Sequence, residues 1–386
     1  TPEACPYANG YYARIKGALW DVLDVPCLTA ETLQEYAKRH TVCPFELGLD
    51  SSLWSDVIIG DYNYLFDPVV HLVRFFESAG DYIFLVDEAH NLPGRAREMH
   101  SAALTKTSFY EAKKLLGKGK SSLKNALTKV NDVFIEWRHR AEEETAARDG
   151  RFGKTFFLKE RSEEFDHLLN RLCEPLEAWL DDHREPDETH TALLQLYFDV
   201  RAWLRVADTF DDHFVLQITA SGSEVRAAQL CLDPSAFLAD SFALGRAAVL
   251  FSATLAPASY YKDLCGVPEA RAVALRSPFP AGNQGLFCIG NVSTRYKDRD
   301  ASLAIVEESL ATMVRARCGN YLAFFPSYAY MEQAYAQFKE HCPEINCIKQ
   351  ENAMDEQQKA AFLAQFVPGP SQTLLGFSVM GGVFGE

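Results

Sequence analysis

No stretch of this sequence reaches the roughly 18–20 consecutive apolar residues that a membrane-spanning helix needs, and no secretion leader opens it. Positive charge is also short. Thirty-eight lysines and arginines face 53 aspartates and glutamates, and the net charge of −15 argues, over the whole molecule, against a nucleic-acid binder. Net charge is an average, however, and a local basic face fits inside it. No phosphate-binding loop of the form Gly-x-x-x-x-Gly-Lys-Ser/Thr precedes the first acidic strand end. Two later look-alikes, Gly119-Lys120-Ser121 and Gly153-Lys154-Thr155, hold Lys114 and Arg148 where the first glycine belongs. Neither follows an apolar strand, so neither presents backbone amides as a phosphate cradle. Internal repeats and low-complexity linkers are lacking too.

What is present is ample for packed cores. The 386 residues are 48% hydrophobic and 12% aromatic, which excludes a disordered chain and a small disulfide-stapled scaffold. At about 150 residues per domain the length predicts two or three domains. Of the ten cysteines, the last seven, from Cys173 to Cys347, sit singly in apolar or helical surroundings and read as ordinary buried thiols. Without a secretion signal, a reducing, cytoplasmic setting is expected. The chain begins at Thr1 without an initiator methionine and ends inside a glycine-rich turn, which reads as an internal piece of a longer polypeptide.

Short apolar runs mark an α/β sheet. They are a β-branched run within 54–66 that breaks at Gly60, then 81–86, 247–251, 321–325 and 373–377. Such near-continuous runs suit central strands of a parallel sheet covered on both faces. Helical patterns over 301–317 and 328–341 complete the βαβ rhythm. The stretch from about 95 to 210 is charged and helix-periodic with almost no strand signal, so it reads as a helical insertion. Residues 213–232 then read as a hairpin turning at Ser221-Gly222-Ser223.

Two strand ends carry chemistry. Asp87-Glu88-Ala89-His90 follows the 81–86 run, at the sheet rim where open α/β folds bind ligands. In a phosphate-ester reaction Asp87 would hold Mg²⁺ through water, Glu88 would orient and deprotonate the attacking water, and His90 would relay nucleotide state. An acidic pair that merely starts a helix is the plain alternative. Ser252-Ala253-Thr254 closes the 247–251 run with small hydroxyl residues able to bond an acidic rim; a simple helix cap is the alternative here. A third feature is basic. Lys113, Lys114, Lys118, Lys120, Lys124 and Lys129 lie with no acid between Glu111 and Asp132, which suits either a salt-sensitive grip on phosphates or a solvated helix face.

The Asp87-Glu88-Ala89-His90 and Ser252-Ala253-Thr254 pair resembles motifs II and III of superfamily 2 helicases. More narrowly, the chain resembles the iron–sulfur DNA helicases of the DinG/XPD family, a DEAH-box group. Supporting stretches are Cys43-Pro44-Phe45-Glu46, Asp61-Tyr62-Asn63-Tyr64, Ser252-Ala253-Thr254-Leu255-Ala256-Pro257, Ser277-Pro278-Phe279, Phe324-Phe325-Pro326-Ser327-Tyr328 and Gly381-Gly382-Val383-Phe384-Gly385-Glu386. The order of segments is also the family's, over nearly the whole chain.

The resemblance implies an α/β fold of two RecA-like parallel-sheet motor domains with an iron–sulfur segment and a helical arch. It assigns 1–49 to a partial cluster segment, 50–94 with 213–256 to the first motor domain, 95–212 to the arch and 257–386 to the second. It implies an ATP-dependent DNA helicase moving 5′→3′ on single-stranded DNA in repair or replication, monomeric and without a membrane. Its cofactors would be Mg²⁺, ATP and a [4Fe–4S] cluster held by four thiolates. Cys5 and Cys43, each followed by proline, resemble the last two cluster ligands. Cys27 is either a spare thiol, with two ligands upstream of Thr1, or a third ligand. Ser252, Ala253 and Thr254 would couple nucleotide to movement, and Gly382 and Glu386 would face the nucleotide. Lys113, Lys114, Lys118, Lys120, Asn63, Tyr64, Ser327 and Tyr328 would meet DNA, with Tyr62, Tyr64 and Tyr328 as candidates for base stacking. The phosphate loop and the family's arginine-bearing motif VI are expected outside these residues, so this piece alone is expected not to hydrolyse ATP. A non-catalytic binding scaffold that kept the fold is the competing reading.

Overall fold

The computed structural model describes residues 5–117, 119, 121–147, 154–293 and 295–385. Two compact units divide after Ala274.

The first unit opens with three helices, α1 (Tyr11–Val22), α2 (Ala30–His40) and α3 (Pro44–Ser52). Tyr11, Ile15, Ala18 and Val22 recur every three or four residues, so one stripe of α1 packs on Ala37, Val42 and Leu47. The Thr29 side chain caps α2, and Pro44 begins α3, where its missing N–H leaves no helical bond unmade. Two short helices follow, α4 (Asn63–Phe66) and α5 (Val73–Phe76), then β1 (Ile83–Val86) and α6 (Leu92–Met99). The β-branched run before Gly60 is not a strand. Val57, Ile58 and Ile59 lie in an unpaired loop, with Ile59 95% exposed.

Residues 102–231 form a domain of their own: β2 (Ala102–Thr105), α7 (Lys106–Leu115), α8 (Ser122–Ala147), β3 (Lys154–Leu158), α9 (Glu163–Asp182), α10 (Glu188–Asp208), β4 (Phe214–Ser221) and β5 (Glu224–Cys231). The hairpin expected over 213–232 is present. It turns at Gly222, whose φ of +60° glycine adopts without a Cβ penalty. Its place differs from expectation. It joins β2 and β3 in a four-stranded antiparallel sheet of order β2-β5-β4-β3, not the parallel sheet of the motor segment. The helical insertion is therefore α+β. Phe214, Leu216, Ile218 and Ala220 alternate inward from β4 and share one core with Phe109, Phe134, Phe165 and Trp203 from the helices. The two extra strands, of four and five residues, are too short for a period-2 reading.

The chain then returns to the parallel strand pair as α11 (Ser235–Ala243), β6 (Ala247–Leu250) and α12 (Ala258–Leu264). β6 pairs in parallel with β1, Ile83 opposite Ala247 and Val86 opposite Leu250. Phe66, Val86, Ala89, Leu92, Ala96, Leu238, Phe242 and Cys265 form the core beneath this pair. Cys265 places residues just past 257 with the first unit, beyond the expected boundary. Among the described residues the pair has no further strand, so Ile83, Leu85 and Val249 stay exposed, unlike the doubly covered strands their composition suggests.

The second unit holds α13 (Arg299–Ala316), β7 (Asn320–Phe325), α14 (Tyr328–His341), β8 (Asn346–Lys349), α15 (Glu356–Leu363) and β9 (Leu374–Val379). Its parallel sheet has the order β7-β9-β8. All six residues of central β9 are buried, Ser378 among its apolar neighbours, as befits the middle strand of a parallel sheet. Four of the last seven cysteines, Cys173, Cys231, Cys265 and Cys342, are buried, whereas Cys288 and Cys318 are exposed, against expectation. Burial pushes the thiols of Cys231, Cys265 and half-buried Cys347 up to about 11. Among the described residues no helix is long and apolar enough to cross a membrane.

Asp166 on α9 lies in the core of the inserted domain. Trp203 Nε1 donates to its Oδ1 at 2.8 Å, while Oδ2 is buried without a hydrogen bond. Burial raises its pKa, against the opposing Trp203 hydrogen bond and the Arg161 charge. A carboxyl whose folded pKa is raised destabilises progressively as pH climbs from the ordinary carboxylate value through the folded one. Asp166→Asn keeps the acceptor for Trp203 and cannot ionise. The difference in melting temperature, variant minus parent, is therefore expected to rise as pH climbs above the ordinary carboxylate value; a flat difference in thermal melts would contradict this account.

Candidate active site at the ends of β1 and β6

The parallel register carries β1 and β6 to a common end, and hydrogen bonds continue past it. Phe251 N donates to Val86 O at 3.0 Å and Ala89 N to Phe251 O at 3.1 Å. This ladder sets Asp87-Glu88-Ala89-His90 beside Ser252-Ala253-Thr254. Ala89 is fully buried in the core below, where a larger side chain would have no room. Asp87 Oδ1 accepts the Glu88 amide at 2.8 Å, and Glu88 adopts φ +44°, a left-handed conformation uncommon for a residue with a Cβ.

Ser252 is the hub. Its hydroxyl donates to Glu88 Oε2 at 3.0 Å, lies 2.8 Å from His90 Nδ1 and accepts the Thr254 amide at 3.2 Å. His90 Nδ1 is also 3.1 Å from Glu88 Oε2. A hydroxyl has one proton; since Ser252 gives it to Glu88, the short contact with His90 requires a proton on Nδ1. Glu88 Oε1 accepts no hydrogen bond among the described residues. The hydroxyl of Tyr62 donates to the carbonyl oxygen of Asp87. Burial, then the Asp87 and Glu88 carboxylates, push the Tyr62 pKa up, which keeps it a donor. Asn63 and Tyr64, half-buried, follow in the same short helix.

In the second unit, three further residues from the sequence reading lie at the carboxyl ends of parallel strands. Ser327 caps α14 by accepting the Tyr330 amide, and Arg299 Nη1 reaches its hydroxyl at 3.4 Å. The Tyr328 hydroxyl accepts from Gln350 Nε2 at 2.9 Å, and Gln350 Oε1 accepts the Val379 amide at 3.1 Å. Gly382 packs against this amide. Gln350, buried at the end of β8, escaped the sequence reading because a four-residue strand gives almost no periodic signal.

The remaining candidates lie elsewhere. Lys113 and Lys114 occupy the last turn of α7, Lys114 exposed and Lys113 half-buried; Lys118, Lys120 and Glu386 lie outside the described residues. Lys124 Nζ is spent on the carbonyls of Gly117 and Gly119. Lys154, from one of the phosphate-loop look-alikes, pairs with Glu142 at 2.9 Å from an antiparallel strand. Cys5 and Cys27 are exposed and Cys43 is half-buried. The Arg14 guanidinium clasps the two proline-flanked cysteine turns, donating to the carbonyls of Pro6 and Asn9 on one and Thr41 on the other. Nothing in the sequence flags Arg14, because its partners are backbone oxygens. Among the described residues no three His, Cys, Asp or Glu side chains group as a metal centre.

Comparison with known proteins follows the same division. A family model described as DEAD_2 matches residues 1–109, and one described as helicase C-terminal domain matches residues 310–386. The XPD helicase subunit of general transcription and DNA repair factor IIH from Schizosaccharomyces pombe is 24% identical over 419 residues, 90% of this chain and 52% of that protein. The ATP-dependent DNA helicase CHL1 of Coccidioides immitis is 21% identical over 409 residues, 92% of this chain and 47% of that protein. The solved structure of S. tokodaii Xpd4 aligns with a TM-score of 0.47 at 15% identity, covering 96% of this chain and 75% of that one. The chain spans about half the length of the curated relatives it matches.

A Cβ at Gly382 would lie 2.9 Å from Gln350 Nε2 and 3.0 Å from Val379 O. Gly382→Ala is therefore expected to destabilise the second unit by roughly 1–3 kcal/mol, read as a lower urea midpoint at unchanged slope. An unchanged midpoint would mean that the turn relaxes freely.

Proposed function

We propose that this chain, a relative of the XPD-like superfamily 2 helicases, works in its whole protein as an ATP-dependent DNA helicase that moves 5′→3′ on single-stranded DNA in repair or replication. The observation that carries the reading is the junction at Ser252, where one hydroxyl binds the acid and the histidine of a strand end more than 160 residues away. A hydrolytic motor needs a base fixed in direction and a reporter of nucleotide state, and this junction supplies both.

Glu88 is the proposed base. Its Oε2 is held by Ser252 and His90, which fixes the carboxylate plane and leaves Oε1 to take a proton from the attacking water. Asp87 is a hard oxygen donor that suits Mg²⁺, which when bound neutralises charge on the phosphates. His90 and Ser252 report the state of the acid box to the β6 end, with Ala253 and Thr254 following. On the second unit, Gly382 and Glu386 are assigned to the nucleotide. Ser327 and Tyr328, with Asn63, Tyr64 and the lysines Lys113, Lys114, Lys118 and Lys120, are assigned to the single strand through phosphate contacts and stacking. Cys5 and Cys43 are assigned as two of the thiolates of an iron–sulfur cluster, supported by the Arg14 clasp that holds their turns together.

The test is ATP hydrolysis by the full-length protein, with and without single-stranded DNA, beside Glu88→Gln. Stimulation by DNA is expected, with a loss of at least about 100-fold in kcat for the variant at little change in ATP affinity. Absence of hydrolysis under both conditions would replace the motor with a binding scaffold. For the cysteines, Cys43→Ser is expected to lower bound iron in the purified full-length protein; full iron content would remove Cys43 from the ligand set.

A further inference from the structure

The acid box is held from two directions. Beside the local bond of the Glu88 amide to Asp87 Oδ1, the β6 end supplies Phe251 O to the Ala89 amide and the Ser252 hydroxyl to the Glu88 carboxylate. From outside the pair comes Tyr62, whose hydroxyl bonds the carbonyl of Asp87 from 25 residues upstream. That carbonyl belongs to the peptide leading directly into left-handed Glu88, so fixing it fixes the plane from which the proposed base departs.

Tyr62 is itself braced. Its ring meets Phe66 edge-on at 6.4 Å, and Phe66, 5% exposed, meets Phe242 of α11 edge-on at 5.4 Å. The ring therefore cannot drift without disturbing the motor core. Its backbone lies in the turn where Asp61 Oδ1 accepts the Asn63 amide, and its next neighbours are Asn63 and Tyr64. One short turn thus carries on one side the residues assigned to the single strand and on the other a rigid link to the acid box.

We infer that Tyr62 is a positioning residue that transmits occupancy of the Asn63–Tyr64 surface by single-stranded DNA to Glu88, through the backbone of Asp87. The transmission half rests on the helicase reading above; the anchoring half does not. A strand bound on that surface reorients the turn, the Tyr62 hydroxyl moves the Asp87 carbonyl with it, and the Glu88 carboxylate is brought into line. Stacking of Tyr62 on a base is not part of this role, which rests on the hydroxyl alone.

The test is Tyr62→Phe in the full-length protein, which keeps the ring against Phe66 and deletes only the hydroxyl. Hydrogen exchange is expected to speed up about tenfold at the Glu88 and Ala89 amides, with the β4 and β5 amides unchanged. At saturating single-stranded DNA, kcat is expected to fall about tenfold, with KM for ATP within about twofold. Unchanged exchange at Glu88 and Ala89 overturns the anchor. Faster exchange with unchanged DNA-stimulated kcat overturns the transmission. Faster exchange spread through β4 and β5 overturns positioning in favour of general packing. If the unaltered protein shows no DNA-stimulated hydrolysis, the helicase reading and the transmission fall together, and the exchange data still decide the anchor.

Discussion

The parallel pairing of β1 with β6 is the constraint on which the first unit depends. Parallel strands cannot be joined by a tight turn; the chain must cross over and return in the same direction. Here the crossover includes a whole domain, residues 102–231, between the acid box and the Ser252 turn. Strand ends so far apart in sequence meet in register only if the intervening domain folds on its own core and delivers both of its ends to the same place. The four-stranded antiparallel sheet does this. β2 enters from α6, β5 leaves toward α11, and the two are hydrogen-bonded neighbours. The domain therefore starts and finishes side by side, and the order β2-β5-β4-β3 is what lets so large an insertion leave the parallel pair undisturbed.

This explains why some features were legible in the sequence and others were not. Runs such as 81–86 and 373–377 announce themselves by near-continuous apolar character, although β9 is buried throughout and β1 leaves Ile83 and Leu85 exposed, and an acid or hydroxyl pair after such a run marks the sheet rim. The partner of the 213–232 hairpin was not legible. Alternation in β4 says that one face is buried, without saying against what, and the strands that flank the hairpin, β2 and β3, are only four and five residues long beside helices. The run at Val57–Ile59 shows the converse. β-branched composition fits a strand but does not make one where no neighbour offers hydrogen bonds. At Tyr62 the fold uses the ring edge against Phe66 and the hydroxyl on the Asp87 carbonyl; nothing in a sequence tells where a tyrosine hydroxyl is spent.

The cysteines divide along a similar line. Burial alone accounts for Cys173, Cys231, Cys265 and Cys342, and it makes them poor nucleophiles and poor ligands by holding the thiol protonated. Cys5 and Cys43 differ in exposure and in having their turns tied by one guanidinium. Arg14 spends its donors on main-chain carbonyls and so brings two loops together without neutralising either thiol. The proposed ligand pair would need support of this kind, since a side-chain partner would compete with a metal for the sulfur.

The same economy governs the acid box. A non-glycine residue at φ +44° returns to the broad allowed regions unless its surroundings over-determine it. At Glu88 they do, through its amide, its carboxylate, the following amide and the preceding carbonyl, supplied by the strand pair and by Tyr62. Because these holds come from separate segments, none of them alone sets where the carboxylate points, and each is a place where a change elsewhere reaches it. Ser252 reaches it from the β6 end and Tyr62 from the turn beside α4. Two inputs converging on one constrained residue are what distinguish this strand end from an acidic helix start, where a single local bond would have sufficed.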